Sequence, residues 1–356
     1  MTGKLVIKAG KTAYAHICKN GLEPKDICVV LGASGAAKWL SIYGLDRVIF
    51  STWLKEIQHK IHLFGTSIGA WKLAAAAQKD PASAFDNLKD AYIAQTYKEG
   101  VTPEKINDES FKIFDKYLPC EKIDEILSNS YMAFGFSAVR CKRAMASENK
   151  LVLGSAMIGA FMANLFSRRS QSYFFDRTVF HTPGNGQSPL DLNGFNMSRV
   201  ALNTENFRQA LMASGSIPII MDGVWNIPGA FEGIYRDGGI LDYHPAFSLS
   251  DNQNGFILYP HFYPHIIPGW FDKKFSNRRA SGDLLDRTIL LAPSKEHIAT
   301  LPFSRIPDRK DFSRFNGKDE QRYEVWHKAA LKSHSLGQEF LGAAVSGRIK
   351  DLVTTF

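Results

Sequence analysis

Three short stretches carry residues whose types and spacing could do chemistry. Ser67 stands in Gly65-Thr66-Ser67-Ile68-Gly69, between an apolar run at 61–64 and the Ala-rich residues 68–77. A strand, a sharp turn and a helix in this order form a nucleophile elbow, which exposes a serine Oγ beside the N–H groups of a helix N-terminus. Gly65 and Gly69 leave room where backbone passes backbone at such a turn. The plainer alternative is a Gly-rich turn with Ser67 as a helix cap. Upstream, Gly32-Ala33-Ser34-Gly35-Ala36-Ala37-Lys38 follows the apolar run 26–31. Small side chains let an anion approach the main chain, so this loop suits a phosphate or an oxyanion. It has neither Walker spacing nor Gly-x-Gly-x-x-Gly. Far downstream, Gly233-Ile234-Tyr235-Arg236-Asp237-Gly238-Gly239 puts an acid at the end of a short apolar run. Asp237 is either a catalytic carboxylate or an Asx-type turn residue.

These residues need a scaffold that holds loop ends side by side. The runs at 26–31 and 61–66 each feed a helical pattern through a tight loop, as parallel strands with right-handed crossovers do. Residues 256–260 and 287–292 read as further strands of the same sheet. Helical spacing recurs at 11–19, 47–58, 82–97, 108–117, 204–212 and 319–340, with a shorter stretch at 342–353. The expected fold is α/β, three layers around a central, mainly parallel sheet, plus C-terminal helices. The expected organisation is a helical lead over 1–24, a catalytic domain over 25–295, and a helical extension over 296–356 packed on it.

In combination the motifs resemble those of bacterial patatin-like phospholipases, and they come in that family's order. The loop 32–38 resembles its Gly-rich oxyanion motif, and Gly65-Thr66-Ser67-Ile68-Gly69 matches its serine elbow. Asp237-Gly238-Gly239 with Pro245 matches its acid segment, and Ala213-Ser214-Gly215-Ser216-Ile217-Pro218 its Ala-Ser-x-x-x-Pro stretch. The match runs from about 25 to 245 and departs from the family at Ala33 and Ser34, where glycines are usual, and at Trp39 after Lys38. Alanine and serine tolerate positive φ poorly, so those two positions either use ordinary angles or store strain.

The resemblance implies a Ser–Asp dyad without histidine: Ser67 is the nucleophile and Asp237 takes its proton. The oxyanion donors would be the N–H groups of Gly35, Ala36 and Ile68, with Lys38 as an electrostatic contributor. It implies hydrolysis of a phospholipid or another acyl-ester lipid, of the phospholipase A or lysophospholipase kind, with no cofactor and no metal. Two other readings stay open. A Ser-His-Asp carboxylesterase of the α/β-hydrolase type would draw on His244, His297, His327 or His334. A catalytically weak scaffold would bind lipid or membrane without turnover.

Composition narrows the partners. With 356 residues, 45% of them hydrophobic, the chain can bury a large core, and 43 basic against 35 acidic residues give a net charge of +8. The basic residues are dispersed, without a basic-aromatic stripe or a zinc-finger pattern, so nucleic acid is not expected and an anionic membrane surface ranks higher. Cys18, Cys28, Cys120 and Cys141 are widely spaced and read as reduced core residues. No signal peptide is visible, so a cytoplasmic, peripherally membrane-associated protein is expected; the oligomeric state is not specified. Residues 151–166 are uncharged between basic flanks and shorter than the roughly 20 residues a bilayer span needs. They read as a buried core helix, or as a mobile helix covering an acyl pocket or dipping into a membrane. Residues 261–275 mix aromatics with cations and read as a packed loop or a lipid-docking loop.

Overall fold

The computed structural model describes residues 3–97, 102–184, 188–250 and 253–356. Its strands are β1 (Leu5–Ala9), β2 (Ile27–Gly32), β3 (Ile61–Gly65), β4 (Met132–Cys141), β5 (Phe175–His181), β6 (Met197–Ala201), β7 (Val224–Trp225), β8 (Ile234–Asp237), β9 (Phe256–Pro260), β10 (Thr288–Pro293) and β11 (Val353–Thr355). They form one sheet in the order β11-β1-β10-β9-β2-β3-β4-β5-β6, with β8 paired to β4 and β7 to β8. The five neighbours β10-β9-β2-β3-β4 are all parallel, and antiparallel pairs occur only outside that block. β9 and β10 are buried along their whole length and β2 and β3 nearly so. Strands buried in this continuous way have helices on both faces, so the architecture is three-layer α/β/α.

The Ala-rich run after β3 is the helix Ile68–Ala76, all of whose residues are buried. Small residues let it lie close against the sheet: a Cβ at Gly69 would fall 2.2 Å from the carbonyl oxygen of Gly32. Lys72 on this helix is buried and paired with Asp46, its Nζ 2.8 and 3.0 Å from the two carboxylate oxygens. The helix expected at 47–58 is instead an α-helical turn, Tyr43–Val48, widening into a π-helical one, Ile49–Trp53.

Both ends of the chain depart from the helical expectation. Residues 5–9, inside the expected helical lead, are β1, which pairs with β10 on one side and β11 on the other. The helix Lys11–Asn20 follows, closed by Gly21 at φ 86°. The long helix Asp319–Val345 packs on Tyr43–Val48, where the Ser333 hydroxyl accepts the Gly44 N–H at 2.7 Å. The short helix Ile349–Leu352 then leads into β11, so the last segment closes the sheet rather than ending in helices. The alternating apolar pattern of Leu5, Ile7 and Ala9 is the signal for β1, buried on that side alone. Of the four cysteines only Cys141 is buried, and Cys18 and Cys120 are exposed.

Candidate active site

β2 and β3 run side by side with Gly32 in register with Gly65, so the loop at 33–35 and the elbow at 66–67 leave the sheet together. Ser67 adopts φ 54°, ψ −130°, the left-handed corner an elbow requires of a residue that is not glycine. Its N–H donates to the Ser214 hydroxyl at 3.0 Å, and that hydroxyl donates to the Ser137 carbonyl of β4 at 2.8 Å. Thr66 ties the elbow to its neighbours: its hydroxyl donates to the Asp242 carbonyl at 2.7 Å and lies 2.8 Å from the Ser34 hydroxyl.

Asp237 arrives from another direction. It ends β8, antiparallel to β4, with Asp237 opposite Ala138; along the same edge of β4, whose other edge holds β5, Phe136 is opposite Gly65. One strand therefore carries both partners to the same end of the sheet. The glycine after Asp237 is a steric necessity, since a Cβ at Gly238 would lie 2.0 Å from the Ser137 carbonyl oxygen. The Asp237 N–H donates to the Ser216 carbonyl at 2.9 Å, and its Oδ1 accepts the Gly239 N–H at 2.7 Å. Its carboxylate shares one chamber with the Ser67 hydroxyl, which helps to hold its pKa down. Burial pushes the Asp237 carboxyl up from 3.8 to about 6; the Gly239 and Ser67 hydrogen bonds and the Lys273 and Arg309 charges oppose that rise.

Ser67 and Asp237 line one chamber of about 220 Å³ together with Gly35, Ala36 and Lys38. Among the described residues no acceptor takes the N–H of Gly35, Ala36 or Ile68. Ala33 and Ser34 use ordinary angles, and the left-handed residue of this loop is Ala36, at φ 50°. Ser34 instead holds the loop down: its N–H donates to the Tyr243 carbonyl at 2.9 Å and its hydroxyl to the Thr66 carbonyl at 3.2 Å.

No histidine lines this chamber. His244 is buried elsewhere, its Nδ1 accepting the Ile267 N–H at 3.0 Å and its ring 4.2 Å from that of His261. Burial holds His244 well below the usual imidazole range, with the facing His261 second. His297 is buried beside Ser294, whose hydroxyl accepts its N–H, and His334 packs on Tyr43.

Sequence reasoning missed several chamber residues. Lys273, Asp308, Arg309 and Lys310 join Lys38 on its wall. The Lys38 ammonium lies 5.7 Å from the Phe262 ring, and burial lowers its pKa. Lys273 lies 3.9 Å from the Tyr243 ring and 4.9 Å from that of Trp270, while part of its length stays open to solvent. Lost hydration there, with Lys38 and Arg309 adding to it, lowers the Lys273 amine to about 7. Lys273 comes from the 261–275 stretch, which packs inward through His261, Phe262, Ile266 and Ile267. A second cavity of about 370 Å³, mostly apolar, shares Ala36 and Ser67 with the first and runs between Trp71, Tyr92, Tyr97, Ile106, Ile220 and Phe312. Among the described residues no three His, Cys, Asp or Glu side chains are placed to hold a metal.

No family model matches the sequence, and no curated protein matches it. Solved structures with some likeness include VipD from Legionella pneumophila, 12% identical, covering 72% of this chain and 53% of VipD at a TM-score of 0.33. Human GIVD cytosolic phospholipase A2 is 11% identical, with 96% of this chain and 62% of that one covered, at a TM-score of 0.37. This chain thus spans between half and two thirds of the length of those two structures.

Proposed function

We propose that this protein is a lipid acyl hydrolase that cleaves carboxylic esters through Ser67 and Asp237. The observation that carries this reading is the left-handed Ser67 corner with a buried carboxylate, and no histidine, in the same chamber. Ser67 Oγ attacks the ester carbonyl carbon while its proton passes to Asp237. The resulting oxyanion meets the N–H groups of Gly35, Ala36 and Ile68, which have no other acceptor among the described residues. Collapse breaks the ester bond, and the leaving alcohol takes the proton from Asp237. Water then attacks the acyl-enzyme, giving its proton to Asp237, and collapse breaks the bond to Ser67 Oγ, which takes that proton back from Asp237 as the fatty acid leaves. The raised proton affinity of Asp237 suits it to this exchange near neutral pH.

The two cavities favour an amphiphilic substrate. The apolar one suits an acyl chain, and the cationic one, with Lys38 and Lys273 of its own and Arg309 and Lys310 where the two cavities meet, suits an anionic headgroup. A phospholipid or lysophospholipid fits both.

A fluorophosphonate probe should label Ser67 in the wild type and leave Ser67→Ala unlabelled. A panel of phospholipids, lysophospholipids, neutral glycerolipids and short-chain esters should then show hydrolysis that Ser67→Ala abolishes. Folded wild-type protein that neither labels nor hydrolyses any of them would leave the non-catalytic scaffold as the better reading.

A further inference from the structure

The apolar stretch 151–166 lies in the helix Lys150–Phe166, which is neither fully buried nor loose. Its inner side, Leu153, Met157, Ala160 and Asn164, packs on the sheet near Val139, Phe175 and Ile240. Three side chains fasten it. Asn164 donates to Asp272 at 2.8 Å, Gln171 donates to the Ala160 carbonyl at 2.9 Å, and Arg278 caps the last turn by donating to the Asn164 and Leu165 carbonyls at 2.6 and 2.7 Å.

The outer side faces solvent. Leu151 is 82%, Ile158 66%, Met162 50% and Phe166 89% exposed, and the spacing places them along one stripe. A Cβ built at Gly154 or Gly159 meets nothing within 4 Å. No charged residue lies between Lys150 and Arg168. A solvent-facing helix of a globular protein normally carries charges on that side.

Cations stand at both ends of the stripe. Lys150 lies at its start and Arg169 just past its end, with Arg143 on the adjoining turn 143–146, and none of the three has a carboxylate partner among the described residues. Lys150 sits in the first helical turn, which has no acid, against the preference of the helix dipole. Arg143 lies 3.6 Å over the ring of Tyr173, itself 56% exposed. An apolar strip rimmed by unpaired cations and an aromatic ring matches the acyl and headgroup layers of an anionic bilayer.

We propose that the outer face of Lys150–Phe166 is a docking surface for an anionic lipid bilayer. A second copy of the chain fits poorly, because parallel or antiparallel pairing of two such helices would set cation against cation at both ends. The face is joined to the chamber through Asp272, which accepts from Asn164 and Arg278 and directly precedes Lys273. Docking on this face fastens the wall of the chamber to the lipid surface.

The test is sedimentation of the full chain, as Ser67→Ala to prevent turnover, with neutral phosphatidylcholine vesicles and with vesicles containing about one third phosphatidylglycerol. Binding is expected on the anionic vesicles and should weaken with salt. Lys150→Gln with Arg169→Gln should reduce it about 25-fold, since each interfacial cation is worth about five-fold. Leu151→Asp with Phe166→Asp should reduce it at least about ten-fold. Both positions are too exposed for the change to unfold the chain, and the same substitutions in the active protein should leave hydrolysis of a soluble short-chain ester unchanged. Absent vesicle binding, or binding unaffected by Leu151→Asp with Phe166→Asp, overturns the proposal. So does concentration-dependent dimerisation that those substitutions abolish. Vesicle binding by a protein that hydrolyses no ester would sustain the docking surface while the hydrolase reading fails.

Discussion

Replacing Asp237 by Asn should cost activity and gain stability, with the gain set by pH. The folded carboxyl titrates near 6 against 3.8 for an ordinary one, so the folded protein holds its proton longer than the unfolded chain does. Stability is therefore lost as pH rises from about 4 to about 6, and the full penalty is in place above that window. At about pH 7.5 the shift corresponds to about 3 kcal/mol, and at about pH 4.5 to about 1 kcal/mol. Asn keeps an acceptor for the Gly239 N–H and carries no charge, so it escapes the pH-dependent part. Urea unfolding of wild type and Asp237→Asn at both pH values measures the difference of differences, expected at about 2 kcal/mol in favour of the variant at the higher pH. Ester hydrolysis should fall by about 10²- to 10⁴-fold in the same variant. A stability difference that stays flat between the two pH values would refute the claim that Asp237 is a strained, desolvated carboxylate. Retained hydrolysis would refute its role as base.

Lys273→Gln should raise KM for anionic lipids about five-fold, the scale of one solvent-screened charge, with little change for neutral esters. In the wild type, kcat/KM should rise through about pH 6 with Asp237 for every substrate, and fall again through about pH 7 only for anionic ones, as Lys273 loses its proton. Ser34→Ala removes the ties to the Thr66 hydroxyl and carbonyl and should lower kcat about ten-fold with KM nearly unchanged, because the oxyanion donors loosen. Lys72→Met strands the buried Asp46 carboxylate and should cost about 3–5 kcal/mol in urea unfolding, whereas Lys72→Met with Asp46→Leu should recover most of it.

The elbow and the parallel strands were legible because their signals are local. A continuous apolar run, two glycines around a serine, and an Ala-rich helix all fall within residues 61–77. What lay beyond local reading was contact between distant segments. Ala213-Ser214-Gly215-Ser216 could be matched as a motif, yet its work appears only in the fold: Ser214 receives the Ser67 N–H and Ser216 the Asp237 N–H, one short stretch gripping both site residues. Ser34 looked like a missing glycine and is a tether, because its hydroxyl meets a threonine from the neighbouring strand end. Lys273, Arg309 and Lys310 come from stretches with no recognisable pattern and gain meaning only from the chamber they share. β11 is a short edge strand and β1, beside it, is held between β11 and β10; these pairings join the far ends of the chain, so the two sequences read as lead and tail.

The net charge of +8 also acquires a location. Several cations are consumed by pairing within the fold: Arg177 grips Asp242 at 2.7 and 2.8 Å behind the elbow, Lys72 holds Asp46 under the sheet, and the buried Arg236 meets the exposed Glu148 at 2.8 Å. Those pairs hold the framework and add nothing to the outward field. The cations without carboxylate partners include Lys38 and Lys273 in the chamber, and Arg143, Lys150 and Arg169 around the outer helix. The outer helix and Lys273 meet at one loop, where Asp272 accepts from Asn164 of the helix and from Arg278. On the proposed function, the charge that would hold the chain to the lipid and the charge that would receive the headgroup adjoin the same loop, which suits a substrate met at an anionic surface. Mutating the chamber cations should therefore change KM for anionic lipids without changing vesicle binding, and mutating the helix-end cations should do the reverse.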